Sequence, residues 1–261
     1  AEDSMYTLCG KDRIHPSTDG HLVMAYLFLK AQGLAGKPVA DIRIDGAGKK
    51  VTRSDNCRVS DLSVSSDNLT FTYEAKSLPY PIDTSYYDNE KHTQADALSV
   101  IPFMDEMNYE GLSVSGLSDG YYGLTIGGEF IGRFTARELE RGINMALLQN
   151  TPQYKQAMKI RQMNEERWLK ERKMREFYWV EYNLMRKTGM LWACDEAAVD
   201  TLRKYRPHDI FLQWNGDLWL QYMHKGIRED CVNEQQDLVN RIYEQNKPIP
   251  LRIEIKKFTD L

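Results

Sequence analysis

The residue types with the greatest chemical capacity stand near the start of the chain. They are Asp12-Arg13-Ile14-His15-Pro16, then Ser17-Thr18-Asp19-Gly20-His21 and the apolar run Leu22 to Leu29. An aspartate three residues before a histidine, on a loop punctuated by Pro16 and Gly20, can present an oriented imidazole. The carboxylate accepts a hydrogen bond from one ring N–H and fixes the tautomer, which leaves the other nitrogen to take a proton from an attacking group. His15 is therefore the candidate general base and Asp12 its orienting partner. His21, at the start of the apolar run, reads as a packing or capping residue. Asp12, His15, Asp19 and His21 together make a poor metal site, because no third histidine stands at ligating spacing. No cofactor is expected.

Acyl-transfer chemistry of this kind also needs a hydroxyl nucleophile and donors for the oxyanion. Gly116-Leu117-Ser118-Asp119-Gly120 matches G-x-S-x-G, a pattern that works where a strand turns sharply into a helix. Here both flanks read as strands, so Ser118 is expected as a turn serine at a hairpin tip. Asn215-Gly216-Asp217-Leu218 puts leucine where a hydroxyl would be needed. The base and its partner are thus legible in the chain, and the nucleophile is not.

The composite of D-x-x-H-P, the following Gly20-His21 and an apolar helix resembles the closing motif of the GDSL/SGNH hydrolases, a family of serine esterases and acylhydrolases. The resemblance implies catalytic roles for His15 and Asp12 as general base and orienter. That family places its serine far upstream, and neither G-D-S nor the oxyanion G-x-N-D occurs here. The implication is the C-terminal portion of such an enzyme, with the serine and oxyanion donors in a missing N-terminal catalytic half and no activity in this chain alone. The implied fold is α/β: the end of an SGNH three-layer α/β/α domain, with Gly20–Leu34 as its final helix, then a β-rich segment and a helical extension. The stretches from Gly116 to Gly128, Gly132 to Ala136, Gly142 to Ala146 and Asn150 to Pro152 resemble an extension on secreted Bacteroides- and planctomycete-type esterases. Those relatives imply an acylated small-molecule or carbohydrate substrate and a secreted or periplasmic location. The start at Ala1, with no initiator methionine or signal peptide, reads as a processed or truncated amino terminus.

The elements that must position these residues follow from periodicity. Residues 1–34 read as a loop and one helix, with Ser17, Thr18 or Asp19 as cap and Gly33 after its last turn. Its apolar residues lie nearly all round, which suits packing inside a larger domain and would leave a sticky patch if the helix stood alone. Residues 35–134 read as β-rich, with strands at Val39–Ile44, Arg58–Val64 and Leu69–Tyr73, the last two joined as a hairpin through Ser65-Ser66-Asp67-Asn68. A meander of Leu112–Leu117, Tyr121–Ile126 and Glu129–Phe134 is expected, turning at Gly127-Gly128. Ser77 to Asn108, rich in Pro, Tyr and Asp, reads as a surface excursion. Residues 135–261 read as mainly helical. Thr135 and Glu138 form a capping box, Thr151-Pro152 opens a long helix to about Lys187, Asp195–Tyr205 and Glu229–Gln245 are helical, and Leu251–Ile255 is a terminal strand.

Composition sets outer limits. A length of 261 residues with 42% hydrophobic content supports one large or two modest domains, and a formal charge of −4 argues against a nucleic-acid partner. No apolar run approaches the roughly 18–20 residues of a membrane span. Cys9, Cys57, Cys194 and Cys231 show no C-x-x-C pairing. Trp168, Phe177, Trp179, Trp192, Trp214 and Trp219 are read mainly as helix core, and the sequon Asn68-Leu69-Thr70 carries little weight without a secretory context. The alternative function is a non-catalytic glycan- or protein-binding module appended to such an enzyme.

Overall fold

The computed structural model describes residues 7–10, 12–85 and 92–258. The chain is mixed α/β and divides into two compact units, one of Ala1–Met158 with Asn246–Leu261, the other of Lys159–Gln245. Among the described residues, nine strands, all in the first unit, build two sheets: β1 Ala40–Asp45, β2 Lys50–Asp55, β3 Cys57–Val64, β4 Asn68–Ala75, β5 Glu110–Ser115, β6 Tyr121–Ile126, β7 Glu129–Thr135, β8 Ile143–Asn144 and β9 Leu251–Lys257. One sheet has the order β2-β1-β5-β8, with β1 and β5 parallel; the other has the order β3-β4-β9-β6-β7 and is antiparallel throughout.

The alternation of side chains along each strand makes the common core. Ile42, Ile44, Leu112 and Val114 of the first sheet cluster with Leu69, Phe71, Tyr122, Leu124, Ile253 and Ile255 of the second. The chain changes sheet between β2 and β3 at Asn56, whose backbone is left-handed (φ 52) and whose side-chain amide donates to the Val39 carbonyl at 2.9 Å.

The expected meander is corrected by the pairing. β6 and β7 form the hairpin that turns at Gly127 and Gly128 (φ 60 and 86), but β5 pairs with β1 and β8 in the other sheet. Ser118 therefore lies in a connection between sheets, not at a hairpin tip. The physical reason is non-local: β1, with Ala40, Ile42 and Ile44 buried, offers β5 a long-range parallel partner, which local alternation cannot reveal.

Helix α1, Thr18–Ala31, stops before Gly33 (φ 73) and buries Leu22, Val23 and Tyr26. These pack against Ile82, Ala97, Ile101, Phe103 and Met104. Ser77–Asn108 is therefore not a surface excursion: it carries a short 3₁₀ turn, Gln94–Ser99, and helix α2, Phe103–Glu106, and its apolar residues cover one side of α1. Across α1, Met24, Leu27 and Phe28 form an i, i+3, i+4 stripe that is 57%, 56% and 64% exposed.

Helix α3, Ala136–Arg141, opens with the reciprocal Thr135–Glu138 box, and Thr151 Oγ1 caps helix α4, Pro152–Val180, by accepting from the Tyr154 amide at 3.3 Å. The second unit takes most of α4, a π-helical turn Glu181–Met185, and helices α5 Glu196–Tyr205, α6 Ile210–Tyr222 and α7 Lys225–Gln245. Its core includes Phe177, Val180, Met185, Leu202, Leu212 and Trp219. Phe177 and Trp219 thus belong to the core as expected, whereas Trp168, Trp192 and Trp214 are 45%, 45% and 66% exposed. Helix α6 goes unseen in the sequence because Asn215-Gly216-Asp217 looks like a turn. A Cβ at Gly216 would lie 3.2 Å from Arg206 Nε, and Arg206 bonds Asp217 at 2.6 and 2.7 Å, so the glycine admits the guanidinium against the helix.

Candidate active site

The loop before α1 is held by backbone bonds between its two arms. Cys9 and Pro16 form an isolated antiparallel bridge, the Gly10 amide donates to the His15 carbonyl at 2.7 Å, and the Arg13 amide donates to the Gly10 carbonyl at 2.9 Å. Arg13 makes the reversal with a left-handed backbone, φ 57. At the tip, Asp12 Oδ1 accepts the amides of Ile14 and His15 at 2.9 and 3.0 Å. Asp12 Oδ2 lies 2.5 Å from His15 Nδ1. The sequence therefore builds the pair locally: the aspartate caps its own turn, and three residues later the turn returns the imidazole to its second oxygen.

The His15 side chain is 83% exposed and that of Asp12 47%. The bond to the His15 ring, followed by the two backbone donors, holds the Asp12 carboxyl far below the usual carboxylate range. An ionised Asp12 that accepts from Nδ1 leaves the lone pair of a neutral imidazole on Nε2, the arrangement a general base needs.

The other sequence candidates do not join the pair. His21 is exposed, so it does not pack as expected. Asp19 is fully buried and accepts the Ser17 hydroxyl and the Gly20 amide, the latter at 2.8 Å. Among the described residues, no group of three or more His, Cys, Asp or Glu side chains is placed to hold a metal ion. Ser118 Oγ lies 3.1 Å from the Tyr122 hydroxyl and accepts from Lys257 Nζ at 2.8 Å, contacts that fasten the turn to β9. Asn215-Gly216-Asp217-Leu218 lies inside α6.

Glu110 and Glu181 are buried acidic residues outside the sequence reading. Glu110, at the start of β5, accepts from the Tyr73 hydroxyl at 2.8 Å and from Gln153 Nε2 at 3.2 Å, both on Oε1. Burial pushes its carboxyl up to about 7 against these two bonds. Glu181, in the π-helical turn, accepts from Trp219 Nε1 at 2.8 Å and from the Trp192 amide at 2.9 Å, where Trp192 is left-handed (φ 64). Neither carries a local sequence signal, because the groups that bond them come from other elements.

Comparison with known proteins adds chemistry to this geometry. Residues 158–247, nearly coincident with the second unit, match the model of the diltiazem deacetylase C-terminal helical domain. The chain is also similar to the solved structure of a gut microbial diltiazem-metabolizing enzyme, at 41% identity and a TM-score of 0.92 over 98% of this chain. It spans 58% of the length of that solved chain. No curated protein matches the chain.

Proposed function

We propose that this chain is the C-terminal portion of a serine ester hydrolase of the SGNH type that removes an acyl group from a small-molecule or carbohydrate ester. His15 serves as general base and Asp12 as its orienter, while the serine and the oxyanion donors belong to a preceding portion of the polypeptide. The observation that carries this reading is the 2.5 Å Asp12–His15 contact on an exposed loop. The likeness to a diltiazem-metabolizing enzyme, and of the second unit to a deacetylase helical domain, supports the class of reaction. The exposed stripe Met24, Leu27 and Phe28 on α1 fits a helix that packs against the sheet of that preceding portion. A secreted or periplasmic location belongs to the same proposal.

In this scheme the serine hydroxyl attacks the acyl carbonyl and passes its proton to His15 Nε2. The imidazolium, stabilised by Asp12, then protonates the departing alkoxide. Water repeats the sequence to release the acid, with the proton returning through the same nitrogen.

The test is hydrolysis of p-nitrophenyl acetate by this chain, by the longer polypeptide, and by that polypeptide with His15→Ala. The expected result is activity in the longer form alone, with kcat lowered by at least about 10³-fold in the variant. A folded longer form that turns over equally well without His15 overturns the assignment, and a silent one favours the binding-module alternative.

A further inference from the structure

A second aspartate lies close to a histidine in the first unit: Asp19, fully buried, stands 3.9 Å from the partly exposed His92. We infer that Asp19 is a positioning residue for His15: its carboxylate locks the base of the loop whose tip carries the imidazole. The inference rests on the catalytic reading of His15 for its functional meaning, but its structural content stands in this chain alone.

The contacts form a continuous path. Asp19 is fully buried and Ser17 is 3% exposed. Asp19 Oδ1 accepts the Ser17 hydroxyl and, at 2.8 Å, the Gly20 amide. Ser17 in turn contacts the Leu8 carbonyl twice, through its amide at 3.0 Å and its hydroxyl at 3.2 Å. From Leu8 the chain runs through the Cys9–Pro16 bridge to Gly10, whose amide holds the His15 carbonyl at 2.7 Å. On its other side, Asp19 Oδ2 lies 3.9 Å from His92 Nδ1, next to Thr93, the buried cap of the 3₁₀ turn that packs on α1. The loop base is thus tied to a distant part of the first unit.

Gly20 shows how closely this base is fitted. A Cβ there would lie 2.0 Å from the Leu8 carbonyl oxygen and 3.1 Å from its carbon, so any other residue pushes the first arm of the loop away. Ser17, Asp19 and Gly20 therefore do a different job from Asp12. Asp12 selects the tautomer of the imidazole, and the buried trio acts through that bond: it holds the two arms of the loop in the place where Asp12 and His15 meet. A loop with an 83% exposed tip has no packing of its own to hold that position.

The tautomer of His15 gives a direct test on this chain, read from the imidazole ¹⁵N shifts at alkaline pH. The intact chain is expected to show mainly the Nδ1–H form bonded to Asp12. Asp19→Asn should shift the population several-fold toward Nε2–H while the circular dichroism spectrum stays native, and Asp19→Glu should not restore it because the longer side chain cannot keep the Ser17 contact. If Asp19→Asn does not fold, Ser17→Ala and His92→Gln replace it and should move the tautomer in the same direction. A native-like variant with an unchanged His15 tautomer overturns the inference. In the longer polypeptide, the variants should lower kcat more than they change KM. A tautomer shift accompanied by no His15-dependent turnover there overturns the catalytic reading and leaves the positioning role intact.

Discussion

Asp12 and Glu110 are two carboxylates of the first unit that the protein treats in opposite ways. Asp12 is half exposed and accepts three donors, and its carboxyl is held far down. Glu110 is fully buried with two donors on one oxygen, and its carboxyl rises to about 7. Its second oxygen and Gln153 Oε1 are buried with no hydrogen-bond partner among the described residues. The difference teaches that hydrogen bonds to the ionised form govern the pKa at the surface, while desolvation governs it in the core. A carboxylate kept ionised beside an exposed imidazole suits proton transfer, and one kept near neutrality between two sheets suits structure.

Asp12→Asn breaks the first half of this comparison. An amide in place of the carboxylate can present its NH₂ to Nδ1 and favour the wrong tautomer, as the known cost of such exchanges indicates. In the longer polypeptide kcat should fall by roughly 10⁴-fold with the fold unchanged, because Asp12 is a surface residue. Steady-state kinetics alongside thermal unfolding check both parts, and a variant retaining more than a tenth of the turnover removes Asp12 from the mechanism.

Glu110→Gln tests the second half through pH. The folded-state value, about 7, lies above the ordinary 4.5, so the folded protein holds the proton more tightly than the unfolded chain. The stability it contributes is complete below about pH 4.5 and is lost as pH rises to about 7, on the order of 3 kcal/mol in total. Denaturant unfolding of the intact chain should show this decline between pH 4.5 and 7 and a plateau above it. Glu110→Gln should flatten that segment. An unchanged slope in the variant assigns the pH dependence to other groups.

The Asp12–His15 pair was legible because its contact is local: three residues and one turn bring the groups together. The same holds for the Thr135–Glu138 box, the stop at Gly33 and the Gly127–Gly128 hairpin, each specified within a few residues. What sequence reading missed is long-range. β5 joins β1 across some seventy residues, β9 enters the middle of its sheet from the end of the chain, and Asp19 meets His92 from a segment that reads as surface loop. Helix α6 was hidden for a different reason, a turn-like triplet whose glycine serves the packing of Arg206. Glu110 and Glu181 gave no local signal because the groups that bury them come from other elements.

Glu138 sharpens the comparison from the third side. Like Asp12 it is a surface carboxylate held down by donors, here the Thr135 amide and hydroxyl, both at 2.7 Å. Its setting is the start of α3, with no imidazole beside it, so a depressed carboxyl is by itself only the signature of a well-bonded turn. Thr135→Ala removes the hydroxyl that caps the Glu138 amide and one donor to the carboxylate. It should cost about 1 kcal/mol of stability, the usual worth of such a cap, and leave turnover in the longer polypeptide unchanged. Denaturation midpoints and kinetics measured on one preparation separate the two effects. Were Thr135→Ala to lower kcat as Asp12→Asn does, both losses would have to be assigned to the fold, and the distinction between a bonded carboxylate and a catalytic one would have to rest on the His15 tautomer alone.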